Sequence, residues 1–450
     1  MVKLANVYEL KNQDKFHHYH PHSNPVNLAK QGVMMTEKAK GIYIYGDDNE
    51  KLIDGASGAW CANIGYGNQR LCEAAFESMK ELSFDHVFGR RTNRWTAALS
   101  AKMATLTPDS FQHFFFSSTG SDAVETSIKM AWYYWRQLKQ EKKRIILGRK
   151  HSYHGSTIFA SSLTGIDMFH SSFGLPLPGV AHIESPYHYR YGCGRSQEEF
   201  GFEAAASLER KIKEIGAENI AAFIGEPIQA TSCMIIPPYN YWQEIKRICE
   251  LYDILLIVDE VVTGFGKTGS WFGFQSFDFE PDIFTMAKGF SSGYFPISSV
   301  AIGEKVSKVL QRCDESFIHG FTNCGHPVGS AVALENIAVI EDENLVEKVK
   351  NELGPHLKGR LKEFLKFPCV GEVRSMGIMG AIEIDVTNMG TDTLAANQAL
   401  VTKIGEIAEK KGLITRQLGV IAFAFPLIIT KAQIDDAISI LKESIIEASV

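Results

Sequence analysis

Short apolar runs at residues 114–117, 145–147, 222–224, 254–258, 283–286 and 300–302, each bounded by turn residues, constrain this chain more than any other feature. Runs this short, without polar alternation and separated by helical stretches, predict strands covered on both faces in a mostly parallel sheet. From about Pro327 the pattern changes to long amphipathic helices around 335–361, a β segment at 373–384, and helices at 402–411 and 431–448. The stretch up to about Asp54 carries its own short strands at 41–45 and 51–53, with no obvious partner in the central sheet. With 450 residues, 45% apolar and 22% charged, the chain can bury more than one core. The expected architecture is α/β, with a large domain over residues 56–326 and a smaller one built from both chain ends, 1–55 and 327–450.

A formal charge of −6 argues against a nucleic-acid partner. Residues 1–16 alternate charged and apolar side chains and no later run reaches bilayer length, so no membrane association and a cytoplasmic location are expected. The eight cysteines are scattered with no CxxC pair, which predicts reduced thiols and neither a disulfide framework nor a metal site.

Two of the apolar runs end in chemistry. Ile257-Val258-Asp259-Glu260-Val261 reads as a buried strand ending in an acid, and Phe284-Thr285-Met286-Ala287-Lys288-Gly289 as another ending in an amine. An Asp and a Lys at neighbouring strand ends can hold the two poles of one cofactor ring, the lysine as nucleophile and the acid facing a pyridinium nitrogen. That pairing suggests pyridoxal 5′-phosphate. The bland alternative is a turn-capping Asp and a solvated Lys.

Further motifs bear on the choice. Phe116-Ser117-Ser118-Thr119-Gly120-Ser121-Asp122 takes a strand through a Gly/Ser turn into a helix expected to begin near Ser121 or Asp122. Asp122 and Glu125 have capping-box spacing, so the turn reads either as an ordinary helix start or as an anion site using the N–H groups of Gly120 and Ser121. In Lys150-His151-Ser152-Tyr153-His154-Gly155, Tyr153 follows a strand end and could stack on a planar ligand; surface polarity explains the segment equally. Gly266-Lys267-Thr268 imitates the end of a P-loop, but Val261 stands where the required glycine belongs. His17, His18, His20 and His22 have ligand-like spacing without an acidic or cysteine partner, and a polar loop is expected.

Taken in order, Ser118-Thr119-Gly120-Ser121, Tyr153-His154-Gly155, Gly225-Glu226-Pro227-Ile228-Gln229, Asp259-Glu260-Val261, Thr263-Gly264-Phe265-Gly266, Ala287-Lys288-Gly289 and Gly325-His326-Pro327 resemble the class III aminotransferases. The resemblance covers nearly the whole chain. It is strongest toward the pyruvate-dependent ω-aminotransferases, through Gly58-Ala59-Trp60-Cys61, Asn63-Ile64-Gly65-Tyr66-Gly67 and Ser291-Ser292-Gly293-Tyr294. It implies a fold-type-I pyridoxal 5′-phosphate enzyme, a homodimer with shared active sites that can pair into a tetramer, acting on an amine donor and a keto-acid acceptor. By the same resemblance Lys288 bonds the cofactor and shuttles the proton, Asp259 keeps the ring nitrogen protonated, and Val261 and Tyr153 pack against its two faces. Gly120 and Ser121 hold the phosphate, Thr322 reaches it from the partner subunit, and Glu226 is a supporting acid beside the cofactor.

On the substrate side the resemblance implies that Trp60 and Phe88 wall the pocket and that Arg416 binds the keto-acid carboxylate, for which a guanidinium fork is suited. Ornithine- and 4-aminobutyrate-type members place a neutralising glutamate where this chain has Thr231, and a glutamine where it has Val262. Both departures point away from that branch. Thr231 also replaces a smaller alanine common in the pyruvate-dependent branch, which narrows the pocket. Arg90 and Arg91 follow Phe88; if they face the pocket they favour an acidic ω-amine such as taurine or β-alanine, and a surface pair is an equal explanation.

Overall fold

The computed structural model describes residues 4–48, 50–389 and 394–449. The outermost residues of the two expected terminal segments, 1–3 and 450, lie outside that set. Near the N-terminus, β1 (Thr36–Lys40), β2 (Tyr43–Gly46) and β3 (Lys51–Asp54) form an antiparallel meander. The central sheet contains β4 (Phe111–Ser117), β5 (Ile145–Arg149), β6 (Val180–Ile183), β7 (Ile220–Gly225), β8 (Leu255–Asp259), β9 (Ile283–Met286) and β10 (Ser298–Gly303). Its order is β4-β10-β9-β8-β7-β5-β6. Every neighbouring pair from β9 through β6 is parallel, and β10 alone runs against both of its neighbours.

Every residue of β7, β8, β9 and β10 is buried, which is why these strands are written as unbroken apolar runs. All six expected strands are present. The seventh, β6, escapes the sequence because it is an edge strand of mostly half-buried residues interrupted by His182. Helices cover the sheet; one of them, Gly120–Gln137, buries Val124, Ile128, Ala131 and Trp135 against it.

Toward the C-terminus, β11 (Val370–Met376), β12 (Met379–Ile384), β13 (Leu413–Ile414), β14 (Arg416–Gln417) and β15 (Ile421–Ala424) complete the strands. β13 pairs in parallel with β3, so the two chain ends meet in one sheet of order β1-β2-β3-β13. The others form a sheet of order β11-β12-β15-β14. The expected single β segment at 373–384 is thus a hairpin turning at Gly377, whose φ of 57° and whose distance from Lys267 O (2.1 Å from an added Cβ) admit no side chain. The stretch expected to hold helices around 335–361 does so: Pro327–Asp342 begins earlier than expected, and Leu345–Lys348 and Gly354–Leu361 follow. Between the first two, Asn344 adopts a left-handed conformation (φ 53°, ψ 39°), which Asn tolerates. The last helix, Lys431–Ala448, lies where expected, started by a Thr430–Gln433 capping box. Among the described residues no helix is long and apolar enough to cross a membrane.

Candidate active site

β8 and β9 are parallel neighbours in register, with Asp259 opposite Thr285, so their carboxyl ends open on the same edge of the sheet. Asp259 closes β8 and Lys288 follows β9 after Ala287, at a left-handed turn with φ 44°. Asp259 is 4% exposed, and both of its carboxylate oxygens have partners. One oxygen lies 2.8 Å from His154 Nδ1, while the other accepts from Val261 N and Thr285 Oγ1, each at 3.1 Å. The adjacent Glu260 braces the following turn, accepting from Thr263 Oγ1 (2.6 Å) and from the backbone N–H groups of Gly273 and Phe274 (2.8 and 2.7 Å). Burial pushes its carboxyl up to about 7.

A cavity of about 150 Å³ stands at this edge, lined by Gly120, Ser121, Tyr153, Glu226, Asp259, Val261 and Lys288, together with His154, Gly155 and Val262. Seven residues singled out from the sequence thus come together around one space. The helix beneath Gly120 starts one residue earlier than expected, and its capping box is Thr119–Asp122, not Asp122–Glu125. Glu125 instead accepts from Thr157 Oγ1 (2.6 Å) and Ala160 N (3.2 Å). The box satisfies the Asp122 N–H and leaves the Gly120 and Ser121 amides in the first turn, where no intrahelical acceptor exists. Tyr153 N donates to Glu226 Oε1 (3.0 Å), and Ser156 N to Ser121 Oγ (3.0 Å), which ties the tyrosine loop to both the acid and the helix start.

Burial pushes Glu226 up to about 7, and the charge of Asp259 adds to the shift. Burial lowers Lys288, and Arg416 lowers it further, while Cys61, Asp259 and Glu226 oppose the shift. The amine is therefore held toward its nucleophilic, neutral form. Glu226 also predicts a pH dependence. The unfolded carboxyl releases its proton near 4.5 and the folded one only at about 7. In that window the folded protein binds the extra proton, so stability falls as pH rises through it, and the loss is complete above it. Thermal melts of the cofactor-free protein between about pH 5 and about pH 8 should show this fall, with a flatter profile in Glu226→Gln.

The remaining sequence-selected residues lie outside the cavity. Trp60 is buried at 2% exposure with φ 64°. Phe88 is exposed and lines an open groove of about 930 Å³ with Ile318, His319 and Gly320, and Thr322 sits exposed in the turn that follows. Thr231 is half-buried in a loop closed by reciprocal Gln229–Ile235 backbone bonds. Arg416 is exposed on β14, opposite Ala422. Arg91 pairs with Asp85 at 2.9 Å. His18, His20 and His22 lie in the expected loop, while His17 ends the helix Val7–His17, and Asp14 of that helix is an acidic partner that the spacing of the histidines does not reveal. Its two oxygens lie 2.9 Å from His18 Nδ1 and 2.7 Å from His20 Nε2, bonds that hold the Asp14 carboxyl below its ordinary range. His154 is the main omission from the sequence-selected set. Its neighbour Tyr153 drew attention, and only the fold shows the imidazole against Asp259.

The lining fits pyridoxal phosphate. A buried acid and a half-buried amine share the cavity, and first-turn amides offer an anion site beside them. The rim beside those amides leaves no room for side chains at its glycines: a Cβ on Gly120 would fall 3.0 Å from Val261 Cγ1, and one on Gly155 2.4 Å from Ser121 Oγ. The buried, unpartnered Nε2 of His154 keeps that ring as an accessory of Asp259 alone.

Comparison with known proteins agrees. The sequence profile of class-III aminotransferases matches residues 27–445. The putrescine–pyruvate aminotransferase of Pseudomonas aeruginosa is 39% identical over 443 residues, covering 98% of this chain and 97% of that protein. An (S)-enantioselective ω-transaminase from Thermomicrobium roseum superposes with a TM-score of 0.95 at 37% identity, over 99% of this chain and 100% of that one. The ω-transaminase of Pseudomonas jessenii in complex with PMP gives a TM-score of 0.94 at 36% identity, over 98% of each chain. The chain belongs to the class III aminotransferases, fold-type-I enzymes that work with pyridoxal 5′-phosphate.

Proposed function

We propose that this aminotransferase moves the amino group of an ω-amine to pyruvate in a ping-pong cycle. The observation that carries the reading is the cavity in which Lys288 and Asp259 meet, with Arg416 close enough for its charge to act on the lysine. Bound there, the cofactor would supply an electron sink for removal of the amine's α-proton. Lys288 would act as nucleophile and then as the base and acid that moves that proton. Asp259 would set a negative charge toward the ring nitrogen, with its carboxylate oriented by His154 and Thr285, and Val261 and Tyr153 would hold the ring between them. The amides of Gly120 and Ser121 would take the phosphate, and Glu226 supports the tyrosine loop through Tyr153 N.

Arg416 is the proposed seat of the pyruvate carboxylate. Among the described residues it forms no ion pair, and the neutral Thr231 offers no acid to quench it. Arg416→Ala should raise the KM for pyruvate about 10- to 100-fold while leaving an uncharged amine within a few-fold. Trp60 and Phe88 complete the pocket walls. The similarity to a putrescine–pyruvate aminotransferase favours a diamine-type donor. Arg91, already engaged by Asp85, weakens the case for an acidic one. Rates for putrescine, β-alanine, taurine and an aryl amine, each against pyruvate and 2-oxoglutarate, test the assignment; dependence on 2-oxoglutarate alone would overturn it.

We place the enzyme as a homodimer. The groove beside Phe88 leaves Phe88 48% and Ile318 86% exposed, apolar surface suited to a second copy. In that arrangement Thr322 of the partner subunit completes the phosphate site. The β3–β13 pairing supports a smaller domain made of both chain ends. Eight free cysteines suit a reducing, cytoplasmic setting.

A further inference from the structure

Thr231 and Arg416 lie on separate segments, and one buried cluster holds the loop that joins them through Cys233. The loop between Gln229 and Ile235 is closed at its base by reciprocal backbone bonds of 3.0 and 3.1 Å. At its far side Cys233 and Met234 both sit in the left-handed region, at φ 59° and 50°, a conformation costly for residues with a side chain. Something outside the loop has to hold it there. Arg374 of β11 does so: its Nε donates to Met234 O at 2.9 Å, and its Nη2 donates to Cys233 O.

The guanidinium is itself fixed. Its side chain is 9% exposed and pairs with Glu383 on β12 (2.8 Å), whose side chain is 2% exposed, and with Glu372 (2.6 Å). Tyr187 donates to the same Glu383 oxygen and lies 3.1 Å from Arg374 Nη2, while Arg190 takes the other Glu383 oxygen at 2.6 Å. Beyond the loop, Cys233 Sγ lies 3.3 Å from Leu418 O, two residues past Arg416. Gly419 meets the same sulfur: an added Cβ would stand 3.3 Å from it. A shift of the 230–234 loop therefore displaces the Arg416 hairpin as well.

We propose that Arg374 is a positioning residue for substrate recognition: its fork, locked by Glu383, Glu372 and Tyr187, holds the 230–234 loop in its strained shape. In doing so it sets Thr231 and the Arg416 hairpin in mutual register. A planar fork is required, because two adjacent carbonyls and two carboxylates must be reached at once, and a lysine ammonium cannot span them. The proposal deepens the reading of Thr231 and Arg416 as pocket residues and rests on it.

The test uses the cofactor-loaded enzyme. Arg374→Lys should raise the KM for both amine donor and pyruvate about tenfold, with kcat changed less than about threefold. The visible cofactor band and bound pyridoxal content should stay as in the parent, and amide hydrogen exchange should quicken at residues 230–234 and 416–419. KM values within about twofold of the parent and unchanged exchange in a cofactor-loaded Arg374→Lys would overturn the proposal. Should that variant fail to fold, Tyr187→Phe removes one lock, and unchanged exchange across the loop there would overturn it equally. Thr231→Ala and Arg416→Ala in the parent separate the two readings. If neither alters KM, the pocket assignment fails, while the exchange measurements still decide whether Arg374 holds the loop.

Discussion

Lys288→Ala is expected to lower kcat/KM by at least about 10⁴-fold while the protein still folds and takes up cofactor. The lysine is asked for both the covalent bond and the proton transfer, and among the described residues no second lysine lines the cavity. Lys267 is fully buried and held down to about 7 by burial, yet its Nζ has no partner and it does not line the cavity. Cofactor uptake should survive because the cavity is also lined by other segments proposed to hold the phosphate and ring, Gly120–Ser121, Tyr153 and Asp259. Initial rates and cofactor content, measured on the same preparation, check both halves of the expectation.

Asp259→Asn carries the second-largest expected effect, a loss of about 10³-fold in kcat with cofactor still bound. The substitution is nearly isosteric, and the contacts of Val261 N and Thr285 Oγ1 can persist on the amide oxygen. What disappears is the buried negative charge proposed to keep the ring nitrogen protonated. Steady-state kinetics show the loss, and a moved visible band confirms its cause. A variant with parent-like kcat and an unmoved band would place the acid elsewhere.

The sequence exposed the central sheet because its strands are buried on both faces and therefore stand out as short apolar runs. Edge strand β6 lacks that signature, since its outer face meets less protein and tolerates His182. The hairpin at Gly377 was invisible because it depends on left-handed backbone at a single residue inside a longer apolar pattern. At the site, Asp259 and Lys288 were legible because strand-end chemistry is local in sequence. His154 and Arg374 were not. Each acts on a partner far along the chain, Asp259 for the first and the Cys233–Met234 carbonyls for the second, and only the sheet order brings them together.

The central claim is that Lys288 and Asp259 serve a two-step amino transfer that requires an acceptor. The most direct test is a single-turnover experiment: cofactor-loaded enzyme mixed with excess putrescine and no keto acid. The account predicts one equivalent of carbonyl product per active site, a shifted visible band, and then arrest. Adding pyruvate should restore the band and release one equivalent of alanine. Continued consumption of the amine without any acceptor, or the same burst from Lys288→Ala, would contradict it.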